Sequence, residues 1–208
     1  LKIVCALKSC FITATMAQII LWAGQIISGF WADSKDVALL IVAQRISLVI
    51  SFILIAVNFV TTPLYANLFA KNDLGGIEKL SALSSKIMTI VSIASASAIL
   101  MLADNILELF GDEYKSAFPF VLILCFAQLV NAMTGSVGYL LAMTNKEKVQ
   151  RNASIISASL LITLCIALCP KFGALGGAIA TACAVIVQNC ILVVCVRKHL
   201  GFWTIKLW

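Results

Sequence analysis

The chain has 208 residues, of which 62% are hydrophobic and 12% charged, with a formal net charge of +6 and a mean hydropathy of +1.07. A soluble domain carries about 25% charged residues, so this chain has too few to cover a water-exposed surface. Its longest polar stretch is about a dozen residues, which leaves no room for a soluble enzyme or nucleic-acid-binding domain. The basic residues fall between apolar spans, where they read as membrane-orientation signals.

In chain order, the first apolar span covers residues 7–31. Gln18, Gln25 and Ser28 interrupt it, and Phe30 and Trp31 suit an interfacial aromatic belt. Asp33, Lys35 and Asp36 form a short polar turn. Residues 37–66 make the second span, long enough to exceed the roughly 20 residues a helix needs to cross a bilayer. Arg45 sits eight residues past its start, about 12 Å in, and Pro63 near its end can break or bend the helix. A loop over residues 67–79 follows, with Gly75 and Gly76 as breakers, and residues 80–86 begin the next helix.

The third span is residues 87–103, where Ser92, Ser95 and Ser97 offer small polar helix contacts. An acidic loop comes next: Asp104, Glu108, Asp112 and Glu113, answered by Lys115. The fourth span, residues 117–143, holds Pro119, Gln128, Asn131, Gly135 and Gly138. Lys146, Glu147, Lys148 and Arg151 form a basic turn. The fifth span is residues 153–169, closed by Pro170. After a turn with Lys171 and Gly173, the sixth covers residues 174–196, and the tail carries Arg197, Lys198, His199, Trp203, Lys206 and Trp208. The expected fold is therefore an all-α integral membrane protein, with six transmembrane helices in a single bundle over residues 1–208.

Six spans put both termini on one side. That side holds eleven basic residues (Lys2, Lys8, Lys71, Lys79, Lys86, Lys146, Lys148, Arg151, Arg197, Lys198 and Lys206) against three opposite (Lys35, Lys115 and Lys171), with Arg45 inside a span. The imbalance predicts cytoplasmic termini and an outward-facing acidic loop.

Arg45 is the leading candidate for function. A charge at that depth is costly and usually faces a protein interior or a water-filled cavity. Its planar fork suits an anionic group such as a phosphate. The alternatives are that it snorkels to the outer interface or pairs with a structural acid. Mid-span amides (Gln18, Gln25, Gln44, Asn58, Gln128, Asn131, Gln188 and Asn189) point to a polar bundle interior, though each alone can serve as interhelical glue. Gln128 and Asn131, three apart, share a helix face, as do Gln18 and Gln25, seven apart.

Gly173, Gly177 and Thr181 form one small-residue stripe, and Gly176, Ala180 and Ala184 another. Both read as close helix packing; a phosphate loop would need a strand and a GK[ST] ending. The eight cysteines form no CxxC pair and His199 is the single histidine, so they read as core residues and no metal or cofactor is expected. The acidic loop reads as solvated surface more than as a catalytic carboxylate pair. No cleavable signal peptide is expected, and the Leu start reads as a piece of a longer product.

Three segments resemble a known family. Residues 107–124, LELFGDEYKSAFPFVLIL, are similar to the Gly-x-Glu-Tyr pattern before an apolar span in bacterial polysaccharide-export flippases. Residues 172–189, FGALGGAIATACAVIVQN, resemble the Gly-rich opening of a late helix in the same proteins. Residues 43–80 carry the early basic residue, the proline near the helix end and the short polar turn. The family is the O-antigen and exopolysaccharide branch of the multidrug/oligosaccharidyl-lipid/polysaccharide exporter superfamily.

The resemblance implies the C-terminal half of a transporter built from two six-helix bundles, working by alternating access. It also implies a non-enzymatic function: moving undecaprenyl-pyrophosphate-linked repeat units, such as O-antigen, across the bacterial inner membrane. Arg45 would contact pyrophosphate, and Gln18, Gln25, Gln128 and Asn131 would hydrogen-bond sugar. The implied partners are the lipid-linked oligosaccharide, membrane lipids, a polysaccharide polymerase and a chain-length regulator, with no nucleic acid. Arg45 is read here as the only charge deep in a span.

Rival readings are a cation-coupled multidrug exporter of the same superfamily, a membrane-embedded glycan transferase or polymerase, and a non-transporting scaffold. The first favours an intramembrane carboxylate, and none lies within a span. The second needs acidic or histidine residues on outer loops, where only residues 104–113 qualify.

Overall fold

A computed structural model describes the backbone of residues 2–204 and side chains from Leu7 to Thr204, so Lys206 and Trp208 of the tail lie outside the described residues. Among these residues every regular element is helical. The order is α1 (Lys2–Ser28), α2 (Ser34–Ala70), α3 (Leu74–Met101), α4 (Ala103–Glu108), a 3-10 turn (Asp112–Ala117), α5 (Phe118–Thr134), α6 (Val137–Met143), α7 (Glu147–Phe172) and α8 (Ala174–Leu200). Six helices are long and apolar enough to cross a membrane. Large apolar side chains such as Phe52, Phe59, Val60, Phe126 and Leu109 stand exposed on the outside, which suits lipid and not water. The chain is a multi-pass all-α membrane bundle.

The structure moves the boundaries of α2, α3 and α7, the last running from Glu147 through Pro170, which does not close it, to Phe172. α3 begins at Leu74, well before residue 87. The Asp73 carboxylate accepts a hydrogen bond from the Gly76 backbone N–H at 2.8 Å and so caps the helix. Gly75 and Gly76 thus belong to the first turn and do not break the chain. In consequence Lys86 lies inside α3, and Arg45 is not the only cation within a long apolar helix. Pro63 does not end α2, which continues to Ala70.

The fourth span, expected to be continuous, is interrupted at Gly135, whose φ is +73°. A Cβ there would lie 3.0 Å from the Ser85 side chain of α3, so only glycine fits without a shift. Ser85 Oγ donates to the Met133 carbonyl at 2.9 Å, at the broken end of α5. Irregular backbone inside a membrane bundle needs such a partner.

α1, α7 and α8 form a tight seam. A Cβ on Gly176 would meet the Leu168 carbonyl of α7 at 2.7 Å, and one on Gly24 of α1 would meet Thr181 Oγ1 of α8 at 2.5 Å. The two small-residue stripes therefore serve two neighbours. The one with Gly177 and Thr181 admits α1, and the one with Gly176, Ala180 and Ala184 admits α7. α1 leans on α7 and α8 and touches α2 lightly.

The remaining core is layered. One apolar layer joins Leu39, Leu40 and Ile50 of α2 to Phe120, Val121 and Leu124 of α5. Another, nearer the termini, joins Tyr65, Val137, Leu140, Leu192 and Val196. Between them α2, α5 and α8 all turn polar, at Ser51 and Asn58, at Gln128 and Asn131, and at Gln188 and Asn189. The alternation of spans is visible at the ends. Lys35 Nζ pairs with Glu113 at 2.9 Å, tying the first turn of α2 to the 3-10 turn. At the other end Arg151 Nη1 donates to Ser9 Oγ at 3.3 Å.

Candidate functional site

The polar waist opens as a cleft of about 340 Å³. Its wall on α2 follows from spacing. Gln44, Ser51, Asn58 and Tyr65 are each seven residues apart and lie on one helix face. Ser51 and Asn58 line the cleft, with Asn131 of α5, Gln150 of α7, and Gln188 and Asn189 of α8. Tyr139 of α6 and the break at Gly135 complete it. None of the residues lining it is charged.

Hydrogen bonds fix these side chains. Ser51 Oγ donates to Gln128 Oε1 at 2.9 Å, and Asn131 Nδ2 donates to the same oxygen at 3.2 Å. Thr134 Oγ1 donates to Asn189 Oδ1 at 3.0 Å, while Asn189 Nδ2 donates to the Val185 carbonyl at 2.9 Å. Gln188 Nε2 donates to Ser154 Oγ at 3.2 Å. Gly138 leaves room for Gln150, whose Nε2 would lie 3.1 Å from a Cβ at that position. Asn58 Oδ1 is buried in the lining with no hydrogen-bond partner. An unsatisfied buried acceptor costs about 1–3 kcal/mol, so this oxygen would gain from a donor that reached it from the cleft.

Of the residues singled out in sequence, Asn131 lines this cleft and Gln128 is bonded to it and to Ser51. The other three assemble elsewhere, in the groove between α1 and α2. Arg45 is exposed, with its guanidinium 5.5 Å from the centre of the Trp22 ring. Trp22 Nε1 donates to Gln18 Oε1 at 3.1 Å. Gln25 Nε2 donates to Gln44 Oε1, and Gln44 Nε2 donates to the Leu21 carbonyl at 2.7 Å. No described carboxylate pairs with Arg45, so its charge is free for an anion. It does not line the cleft. It stands six residues, about 9 Å along α2, from Ser51, where the cleft begins.

Sequence reasoning missed two things here. Trp22 links Gln18 to Arg45, and the signal was its place one turn after Gln18. Ser51 joins the amides already noted at positions 44 and 58, and the signal was the unbroken seven-residue spacing.

The acidic loop is elsewhere and is tied up. Lys115 Nζ lies 2.9 Å from Asp112 and 3.5 Å from Glu108, while Glu113 is held by Lys35. Among the described residues no group of His, Cys, Asp and Glu gathers to hold a metal. Chemically, the cleft offers amide and hydroxyl donors and acceptors without charge, and one cation stands a short way along the same helix. Comparison with protein-family models, curated proteins and solved structures finds no match for this chain.

Proposed function

We propose that this chain is one bundle of a transporter that flips lipid-linked oligosaccharide, a polysaccharide repeat unit of the O-antigen type on undecaprenyl pyrophosphate, across the bacterial inner membrane. The observation that carries the reading is the uncharged, amide-lined cleft at mid-bundle with an unpaired arginine on the adjoining groove. A sugar unit presents many neutral hydroxyls, which Asn58, Asn131, Gln150 and Asn189 can meet as donors and acceptors. Its pyrophosphate presents paired anionic oxygens, which a planar guanidinium meets in bidentate fashion. Gln18 and Gln25 flank the arginine and complete that end.

The excess of basic residues on the side of the termini supports cytoplasmic ends. Alternating access would need a second bundle to close over the open α1–α2 groove. A polymerase and a chain-length regulator would act on the delivered units outside the membrane. The reading is non-enzymatic; of the four carboxylates of the outer loop, Glu108, Asp112 and Glu113 are ion-paired with Lys115 and Lys35.

The test is to deplete the protein and extract lipid-linked glycan, with sidedness read by a membrane-impermeant probe. Complete units accumulating on the cytoplasmic leaflet support the proposal. Incomplete units would point instead to an enzyme of glycan assembly, and an unchanged glycan pool to drug export.

A further inference from the structure

A second groove, of about 450 Å³, runs between α2 and α3. It uses a different face of α2: Ser51, Ile55 and Asn58 turn to the cleft, while Ala56, Val60 and Leu64 turn to this groove. Leu80, Leu83 and Ile87 form the opposite wall. Val60, Leu83 and Ile87 are 64%, 58% and 43% exposed, so the groove opens on the outer, lipid-facing surface.

Two features point to a ligand. Thr61 lines the groove, is 5% exposed, and its hydroxyl has no hydrogen-bond partner. A helical threonine ordinarily returns its hydroxyl to a carbonyl one turn back, as Thr62 does to Asn58 at 2.6 Å. Beside the groove, Lys79, Leu83 and Lys86 form one exposed ridge on α3, the lysines seven residues apart. Neither lysine is ion-paired among the described residues. Lys86 stands twelve residues, about 18 Å, into a helix that begins at Leu74. A cation along a membrane-spanning helix needs either an anion or a path to the interface.

We infer that this groove binds an anionic phospholipid. One acyl chain lies along Ala56, Val57, Val60 and Ile87, the phosphate sits on Lys86 and Lys79, and Thr61 donates to an ester carbonyl. The register fits. The Tyr65 hydroxyl meets the Ser84 hydroxyl at 3.1 Å, and α2 and α3 run antiparallel. Thr61, one turn back from Tyr65, is therefore level with the turn of α3 that carries Lys86. The lysines favour a lipid of net negative charge, because a zwitterionic headgroup brings its own ammonium against them. The inference needs the chain to span a bilayer and nothing else from the transport proposal.

The test is lipid retention. The full chain is reconstituted in phosphatidylcholine vesicles doped with phosphatidylglycerol, then purified, and bound lipid is measured by mass spectrometry. The wild type should retain phosphatidylglycerol in preference to phosphatidylcholine. A double K79Q/K86Q variant should lose that retention by about 25-fold, near fivefold per lysine. Val60→Trp keeps both lysines and fills the groove, and should also release the lipid. These positions are exposed, so neither variant removes a core contact. Equal retention of the two lipids by the wild type would overturn the inference. So would undiminished phosphatidylglycerol on either variant.

Discussion

Two regions of this bundle are built from small and polar residues, and they do opposite things. Along the seam of α1, α7 and α8, Gly24, Gly176 and Gly177 remove side chains so that backbones approach. In the waist, Ser51 bonds to Gln128 and Thr134 to Asn189 across helices, and these pairs still leave about 340 Å³ open. The difference lies in length: glycine lets helices close, whereas a carboxamide holds its neighbour at side-chain distance. A membrane bundle gains no hydrophobic drive from helix contact, so such local choices decide where it is shut and where it is open.

The sharpest way to break the comparison is at Gly176. Even alanine there puts a Cβ 2.7 Å from the Leu168 carbonyl, an atom that cannot move aside. Gly176→Ala should cost about 2–3 kcal/mol, read as a fall in thermal unfolding temperature in detergent. An unchanged melting curve would mean the seam is loose.

At the open groove the expected loss is functional. Arg45→Ala should reduce glycan flipping about 10- to 100-fold at normal expression, the worth of a charged hydrogen-bonded pair. Arg45→Lys should restore only part of it, since an ammonium lacks the bidentate fork. Inside the waist, Ser51→Ala removes one of two donors to Gln128, and Asn131 keeps the other. It should cost about 1 kcal/mol of stability, measurable by denaturant titration. A much larger loss would show that the wall is a cooperative network. The smallest effect belongs to the exposed ends. Lys35→Gln breaks the pair with Glu113 and should leave the melting temperature unchanged within error.

The number of spans was legible because runs of Leu, Ile, Val and Ala leave little alternative in a chain this apolar. Packing of the two glycine stripes was legible for the same reason: the one hydroxyl from Gly173 to Ala184, on Thr181, is returned to the Gly177 carbonyl of its own helix. The start of α3 was not, because Gly75 and Gly76 look like a break until Asp73 is seen capping them. Nor was the interruption at Gly135, whose positive φ depends on the approach of Ser85 from another helix.

The site was legible by halves. Asn131 lines the cleft with Gln128 bonded to it, while Gln18 and Arg45 both contact Trp22 and Gln25 bonds to Gln44. That these are two places, and that Trp22 binds the second together, depends on how α1 leans. Tertiary geometry of that kind leaves no trace in residue spacing.

The most direct measurement is complementation of a strain depleted of this protein, scored by which leaflet holds the lipid-linked glycan. The account predicts complete units trapped on the cytoplasmic leaflet, released by the wild type and not by Arg45→Ala expressed at the same level. Full release by Arg45→Ala, or a glycan pool that never responds to depletion, would contradict it.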